Sequence, residues 1–209
     1  MMRTDRGILT VVSGFAGSGK GTVMKKLISD HDCYALSVSA TSRAPRPGEE
    51  EGVSYFFKTR EEFEAMIERG ELLEHAEYVG NYYGTPRDFV FRMMDEGKDV
   101  VLEIELQGAM QIKERYPDTV LIFLTPPSVD ELYARLKGRG TETDEVIAKR
   151  MKRASEESEQ INRYDYLVIN DDVQRAADRI HGIIRAAHHT VSHEDMIIKE
   201  LSEGLKKQF

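Results

Sequence analysis

The feature that most constrains the fold is a glycine-rich turn at residues 13–22 (SGFAGSGKGT), which directly follows the apolar run Ile8–Val12. Three glycines in the turn allow the backbone to fold tightly, with several N–H groups pointing inward. Lys20 adds a positive charge, and the apolar spacing after it predicts a helix whose positive N-terminus faces the same point. This order of strand, turn and helix predicts a loop that binds nucleotide phosphates.

One position of this loop departs from the common pattern. Loops of this kind have Ser or Thr directly after the lysine, where the hydroxyl binds Mg²⁺. Here that position is Gly21, and Thr22 follows one place later. The loop therefore lacks its usual direct metal ligand.

Length and composition restrict the class of protein. The 209 residues suffice for one domain, with or without small inserted lobes, and for a core that needs no disulfide or metal. The only cysteine, Cys33, fits a reducing compartment, and no run of about 18 apolar residues occurs, so we expect a cytoplasmic protein. The net charge of −8 argues against a broad basic face for nucleic acid, although local arginines can still bind small anions.

Short apolar runs alternate with helical patterns, which predicts a parallel α/β sheet. The predicted strands are Ile8–Val12, Ala35–Val38, Val100–Ile104, Val120–Leu124 and Tyr166–Ile169. Between them, Gly97 and Pro117 are expected to end helices, and Ser128 to begin one. An amphipathic helix after Val173 is expected to pack on the sheet.

Three segments do not fit this alternation. Residues 39–86 are polar at first and then indicate a small α+β lobe, with a strand at Val53–Phe57, a capping box that starts a helix at Thr59, and a strand at Leu72–Val79. Residues 139–163 are dense in both signs of charge, and we expect a solvated helical hairpin outside the core, used either as a mobile lid or as a plain surface helix. The tail, 190–209, has an apolar stripe at helical spacing that predicts a packing face.

A second candidate phosphate site lies in the loop at residues 41–49 (TSRAPRPGE). Two prolines stiffen this loop, and Arg43 and Arg46 could each offer a guanidinium fork to one phosphate. Tyr55 and Tyr83 could add hydroxyl donors. The alternative is an ordinary surface loop with two solvated arginines, and three consecutive glutamates from Glu49 are expected to form a solvated turn.

Seven motifs, in order, closely resemble those of the guanylate kinases, over roughly residues 8 to 185. They are residues 13–22, 37–55, 80–85 (GNYYGT), 103–108 (EIELQG), 125–128 (TPPS), 136–143 (LKGRGTET) and 168–172 (VINDD). The resemblance implies a P-loop NTPase-type parallel sheet flanked by helices, with an inserted α+β GMP-binding lobe and a helical lid. The implied division is a core of 1–38, 87–138 and 164–189, a GMP-binding lobe of about 39–86, a lid of about 139–163, and the tail 190–209.

The resemblance also implies the reaction, which is transfer of the γ-phosphoryl group of ATP to GMP or dGMP with Mg²⁺. The implied catalytic residues are Lys20, Arg43, Arg139 and Arg150. The implied ATP-binding residues are Gly14, Phe15, Ala16, Gly17, Ser18, Gly19, Lys20, Gly21, Thr22, Arg135, Arg139 and Asn170. The implied GMP-binding residues are Ser39, Arg43, Arg46, Tyr55, Glu74, Tyr83, Thr85 and Glu105, and Glu103 is implied to hold the metal through water. The implied partners are these small nucleotides, without nucleic acid or membrane, and the oligomeric state stays open.

Three departures from the family pattern matter. Phe15-Ala16 replaces the frequent Pro-Ser, and we expect both residues on the outside of the turn. Gly21 matches adenylate kinases, which hold the metal through water and phosphates. Glu103 and Glu105 replace Asp in many members, which leaves open which of the two contacts metal and which contacts guanine. The alternative functions are a ribose 1,5-bisphosphate phosphokinase-like enzyme and a non-catalytic guanylate-kinase-like domain that binds phosphoproteins.

Overall fold

The computed structural model describes residues 6–78, 80–138 and 143–208. The strands are β1 Leu9–Gly14, β2 Tyr34–Leu36, β3 Ala40–Thr41, β4 Phe56–Phe57, β5 Leu72–Tyr78, β6 Asn81–Pro86, β7 Asp99–Glu103, β8 Val120–Thr125 and β9 Tyr166–Ile169. The helices are α1 Lys20–Asp30, α2 Arg60–Glu68, α3 Arg87–Asp95, α4 Leu106–Arg115, α5 Val129–Gly138, α6 Asp144–Ser158, α7 Val173–Ala187 and α8 Asp195–Gln208. A 3-10 turn at Ile161–Arg163 precedes β9.

A parallel sheet in the order β2-β7-β1-β8-β9 forms the centre of the fold, and it confirms the five predicted strands to within two residues at each end. All six residues of β1 are buried, as expected for the middle strand of a sheet covered on both faces. Because the strands are parallel, the ends of β1, β7 and β8 meet at one edge. Ligands bind at this edge in open α/β sheets.

Helices cover both faces of this sheet. On one face α1 and α7 bury an apolar cluster that includes Leu27 and Ile180. On the other face α3 and α4 bury Val90 and Ile112. Two predicted helix ends are confirmed. Gly97 follows α3 with φ 82°, and the Ser128 hydroxyl accepts a hydrogen bond at the start of α5.

The expectation that residues 139–163 lie outside the core is wrong for α6. Ile147 and Ala154 of this helix are 3% and 7% exposed and belong to an apolar cluster with Leu132 and Leu136 of α5. The two buried residues lie seven positions apart, which places them on one helix face, and charged residues cover the rest. A narrow apolar face of this kind was hidden by the high charge of the whole segment.

The inserted segment forms a second sheet in the order β4-β3-β6-β5, covered by α2. The predicted capping box is confirmed, since Thr59 and Glu62 each bond the other's backbone N–H. The predicted strand at Val53–Phe57 is wrong in extent: the strand is Phe56–Phe57, Tyr55 forms only an isolated bridge with Glu51, and Val53 is exposed in a turn. The strand predicted at Leu72–Val79 is confirmed as far as Tyr78, and Val79 lies outside the described residues.

The chain leaves the central sheet after α7. The His188 ring bonds the buried carboxylate of Asp99 at the start of β7 (2.8 Å), which ties the end of α7 to the sheet. Helix α8 follows, and its apolar stripe is exposed, so within the described part of the chain the packing face predicted for the tail is uncovered. None of the described helices combines the length and the apolar character that crossing a membrane requires.

Candidate active site

The glycine-rich turn lies between the buried end of β1 and the first residue of α1. Gly17 and Gly19 have φ of 89° and 90°, the left-handed region in which a side chain is strained. Lys20 folds back so that its ammonium donates to the Gly14 carbonyl at 2.6 Å. The turn therefore presents backbone N–H groups, the start of a helix and a lysine at one point, which is the geometry that binds phosphates.

Two side chains from distant segments fix the shape of this turn. Asn170, just after β9, donates from Nδ2 to the Ser18 carbonyl at 2.7 Å, and Arg135 of α5 donates to the same oxygen at 3.2 Å. Arg135 also donates to the Asn170 carbonyl and is held by Glu131 of its own helix. A Cβ on Gly19 would lie 2.5 Å from Asn170 Nδ2, so only glycine fits there.

An open cleft of about 410 Å³ adjoins the turn. The glycine loop, α5 and the segment after β9 meet in its walls. The sequence analysis expected these three segments to supply ATP-binding residues. The lining residues are Gly19, Thr22, Arg135, Asn170, Asp171, Asp172 and Val173. The cleft has the position expected of a nucleotide base and sugar beside a phosphate loop.

The expectation that Phe15 lies on the outside of the turn is wrong. The Phe15 side chain is 9% exposed, and its ring packs edge-on against Phe123 at 5.0 Å. It belongs to the apolar cluster that also holds Ile147 of α6. Phe15 therefore packs the loop against the buried apolar cluster and connects the loop with α6.

Glu103, at the end of β7, faces the start of α1. A Cβ on Gly21 would lie 3.6 Å from one carboxylate oxygen of Glu103, an ordinary contact distance. Desolvation by the surrounding residues raises the pKa of Glu103, and the nearby charge of Lys20 opposes this shift. One carboxylate beside a phosphate loop suits Mg²⁺, which commonly keeps several waters and binds substrate phosphates through one or two carboxylates.

Glu74 lies on the inserted sheet and is 4% exposed. The Thr85 hydroxyl donates to its carboxylate at 2.7 Å, and burial raises the pKa of Glu74 to about 7. Gly108 of α4 faces the other oxygen, and a Cβ there would lie 2.5 Å from it. The structure thus brings together Glu74 and Thr85, which the sequence analysis expected at one site. Gly108 packs against the same carboxylate.

The loop with the two arginines is tied together by Glu49. Arg43 donates to Glu49 at 2.8 Å, and the backbone N–H of Arg46 donates to the second carboxylate oxygen at 2.8 Å. The Arg43 guanidinium also lies 5.4 Å from the Tyr55 ring, which packs against Tyr83. The expected solvated turn is therefore wrong at Glu49, whose pKa is lowered by Arg43 and by the Arg46 N–H.

Four other predicted residues are placed as follows. Ser39 precedes β3 and is half-buried, with its carbonyl bonded to the N–H of β4. Glu105 is exposed at the N-terminus of α4, and Arg150 is half-buried on α6. Arg139 lies outside the described residues.

Sequence reasoning missed one residue that bridges α6 and this region. Arg153 of α6 donates to Glu105 at 3.3 Å and to Glu157 at 2.7 Å. It lies three residues after Arg150, so it projects from a neighbouring part of the same helix surface. The density of charge in this segment gave no signal that would have distinguished it.

A phosphate loop at the edge of a parallel sheet, with a second sheet that carries an arginine loop and a buried glutamate, defines a P-loop kinase of small substrates. The guanylate kinase family model matches residues 6–187, and the chain belongs to the guanylate kinase family. Guanylate kinases of Halalkalibacterium halodurans and Streptococcus pneumoniae are 58% and 53% identical to it. These alignments cover 90% of this chain and 92% of the first relative, and 97% of both chains for the second.

A solved structure agrees with this assignment. The crystal structure of guanylate kinase from Anaplasma phagocytophilum is 38% identical, with a TM-score of 0.74. The match covers 91% of this chain and 90% of that one. The fold predicted from the sequence is therefore confirmed.

Gly19 and Gly21 offer a matched pair of substitutions in one loop. We expect Gly19→Ala to weaken ATP binding by about 10²-fold, because the methyl group meets Asn170 and the backbone is strained at positive φ. We expect Gly21→Ala to change ATP binding by no more than a few fold, since its methyl group makes only ordinary contacts and alanine favours a helix. Calorimetric titration with ATP measures both, and equal losses in the two variants would contradict this geometry.

Glu49 occupies the guanidinium of Arg43 and so competes with any anion for it. We expect Glu49→Gln to lower the KM for a phosphate-bearing acceptor by up to about fivefold, the scale of a partly exposed ion pair, with little change in kcat. Steady-state kinetics with Glu50→Gln as the exposed neighbouring control measure the effect. A raised KM in Glu49→Gln alone would show that Glu49 positions Arg43 rather than competing for it.

Proposed function

We propose that this protein transfers the γ-phosphoryl group of ATP to GMP or dGMP, giving ADP and GDP or dGDP. The observation that carries the proposal is the stretch from Glu103, the last residue of β7, to Gly108 in the first turn of α4. At its start Glu103 faces Gly21 of the phosphate loop, and five residues later Gly108 faces the buried Glu74. One rigid segment therefore separates a phosphate-binding loop from a buried carboxylate, as a two-nucleotide site requires.

The donor half of the site comprises the glycine loop and the adjoining cleft. The loop N–H groups and Lys20 bind the β- and γ-phosphates of ATP, while the cleft beside Asn170 and Arg135 takes the adenosine. Glu103 would hold Mg²⁺ through water, and Gly21 leaves that space open. When bound, Mg²⁺ neutralises charge on the phosphate oxygens.

The acceptor half lies on the inserted sheet. Arg43 and Arg46 bind the GMP phosphate, assisted by the hydroxyls of Tyr55 and Tyr83. Glu74 accepts hydrogen bonds from guanine N1–H and the 2-amino group, which adenine cannot supply. Ser39, Thr85 and Glu105 complete the GMP-binding set. In this assignment residues 39–86 are the GMP-binding lobe, 139–163 the lid, and the remainder up to 189 the core.

Chemistry then depends on alignment and positive charge. The transition state of phosphoryl transfer spreads negative charge over three oxygens, which Lys20, Arg43, Arg139 and Arg150 stabilise when the lid closes. No general base is needed, because the attacking GMP phosphate is already ionised at neutral pH. Closure also excludes water, which prevents hydrolysis of ATP. We place the reaction in the cytoplasm, with small nucleotides as partners.

The choice of acceptor tests the function directly. In an assay coupled to ADP release, we expect turnover with GMP and dGMP and a GMP preference over AMP of up to about 10⁴-fold, since adenine lacks the N1–H and 2-amino donors for the buried Glu74 carboxylate. Lys20→Ala should lower kcat by about 10²-fold or more, while Lys26→Ala, on a surface ion pair of the same helix, should not. Comparable turnover of AMP, or turnover only of ribose 1,5-bisphosphate, would refute the proposal.

The raised pKa of Glu74 gives the acceptor site a characteristic pH dependence. Below pH 7 the carboxyl is largely protonated and must ionise to accept two hydrogen bonds, so we expect the KM for GMP to rise by up to about tenfold per pH unit below 7 and to level off above it. The GMP phosphate itself titrates near pH 6, which affects every variant.

Glu74→Gln separates the two titrations. The variant should have a KM for GMP raised by about 10²-fold, the loss of a charged hydrogen bond, and should keep only the weaker pH dependence of the phosphate. KM measured from pH 5.5 to 8.5 for both proteins decides this. A pH profile identical in the two proteins would mean that Glu74 does not contact the base.

A further inference from the structure

A chain of two ion pairs connects helix α6 with the start of helix α4. Arg153 donates from Nε to Glu157, one turn further along α6, at 2.7 Å, and from Nη2 to Glu105 at 3.3 Å. The planar guanidinium holds its donors in a fixed fork, so the bond to Glu157 sets the direction in which the second nitrogen points. Arg153 therefore joins α6 to the N-terminus of α4 at a defined place.

Glu157 is the fixed end of this chain. Its side chain is 14% exposed, and desolvation raises the pKa of Glu157 while the hydrogen bond from Arg153 opposes the shift. An ion pair between residues four apart on one helix forms without any movement of other elements. Glu157 thus orients Arg153 within α6 itself.

Glu105 is the end that needs support. It occupies the N-cap position of α4, but its side chain makes no capping hydrogen bond and is 56% exposed. Desolvation raises the pKa of Glu103 and of Glu157, and the negative charge of Glu105 raises both further, so the three carboxylates repel one another. Without Arg153 we expect Glu105 to turn toward solvent, because an exposed glutamate has several open rotamers.

The position at which Glu105 is held matters because of its distance along α4 from Gly108. The two residues are three positions apart at the start of the helix, which places them on one face. Gly108 packs against the buried carboxylate of Glu74, where a Cβ would lie 2.5 Å from one oxygen. Glu105 therefore lies about one helical turn from the residue that is proposed to read guanine.

The contacts of Arg153 suit it to orienting Glu105 rather than to binding a phosphoryl group. Two carboxylates, those of Glu157 and Glu105, neutralise its guanidinium. A cation in this state stabilises an added negative charge less than Lys20 does, whose ammonium bonds a neutral carbonyl. The bond to Arg153 uses one oxygen of Glu105, and a carboxylate offers about four acceptor positions, so Glu105 can accept from a base at the same time.

We propose that Arg153 is a positioning residue for guanine recognition, which is oriented by Glu157 and holds the Glu105 carboxylate turned toward the acceptor base. The inference rests on the proposed function, in which Glu105 belongs to the GMP-binding set. It adds a residue of the proposed lid segment to the selection of the base. The helix that carries Arg150 is then directly connected with a group that reads guanine.

Steady-state kinetics of Arg153→Met, with GMP and ATP varied separately, test this role. The KM for GMP should rise about fivefold, the scale of a partly exposed ion pair, while the KM for ATP and kcat stay within about twofold of the parent's. Lys152→Met removes the same charge at the exposed neighbouring position and should leave all three constants unchanged. Arg153→Lys should recover only part of the loss, because one ammonium cannot reproduce the fork that bridges both carboxylates.

A double-mutant cycle with Glu105 separates positioning from a direct contact with substrate. Glu105→Gln alone should raise the KM for GMP about tenfold, the loss of a charged hydrogen bond, and adding Arg153→Met should raise it by less than a further twofold or so. Glu157→Gln should reproduce part of the effect of Arg153→Met, whereas Glu156→Gln, exposed on the same helix, should have none. Circular dichroism establishes that each variant is folded.

Three results would overturn the inference. The first is an unchanged KM for GMP in Arg153→Met, with or without a fall in kcat. The second is an equal rise in the KM values for GMP and ATP, which a general disturbance of the fold would cause. The third is a pair of losses that multiply in the double variant with Glu105→Gln. A parent protein that does not phosphorylate GMP at all would instead contradict the proposed function, so the two failures are distinguishable.

Discussion

The shape of the phosphate loop depends on the hydrogen bonds that the Ser18 carbonyl accepts. It accepts hydrogen bonds from Asn170 after β9 and from Arg135 of α5, so segments more than a hundred residues away hold the turn in shape. This contact also explains the composition of the loop, because Asn170 occupies the space that a side chain at Gly19 would need. The loop is therefore held at the sheet edge by contacts within the protein, and in the proposed function phosphate binding does not have to order it.

The stretch from Glu103 to Gly108 fixes the position of the phosphate loop relative to Glu74. Parallel pairing with β1 places Glu103 beside the phosphate loop, and the first turns of α4 then bring Gly108 against Glu74 on the other sheet. The phosphate loop and Glu74 are thus connected through regular structure. Arg43 and Arg46, in contrast, lie on a loop, the kind of element best suited to move when a substrate binds.

Features that depend on local spacing could be predicted from the sequence. The five parallel strands and the capping box at Thr59 follow from periodicity and from residues three apart, which the chain itself brings together. The errors at Phe15, Ile147 and Glu49 share a different cause. Each of these side chains has a partner from another segment or across a loop, and only tertiary packing decides that Phe15 meets Phe123 or that Glu49 meets Arg43. Arg153 was missed for the same reason, since nothing in the sequence distinguishes it from the other charged residues of α6.

Three ionic groups of the proposed site have internal partners. Lys20 bonds the Gly14 carbonyl, Arg43 bonds Glu49, and Glu74 bonds Thr85 and has a raised pKa. Buried or half-buried charges without partners would destabilise the fold, so these contacts offset part of the cost of desolvating the three groups. In the proposed function, nucleotide binding exchanges these polar contacts for others, which limits affinity but not discrimination between bases. In that proposal a base without the matching donors, as adenine would be at Glu74, leaves the desolvation cost of the carboxylate uncompensated.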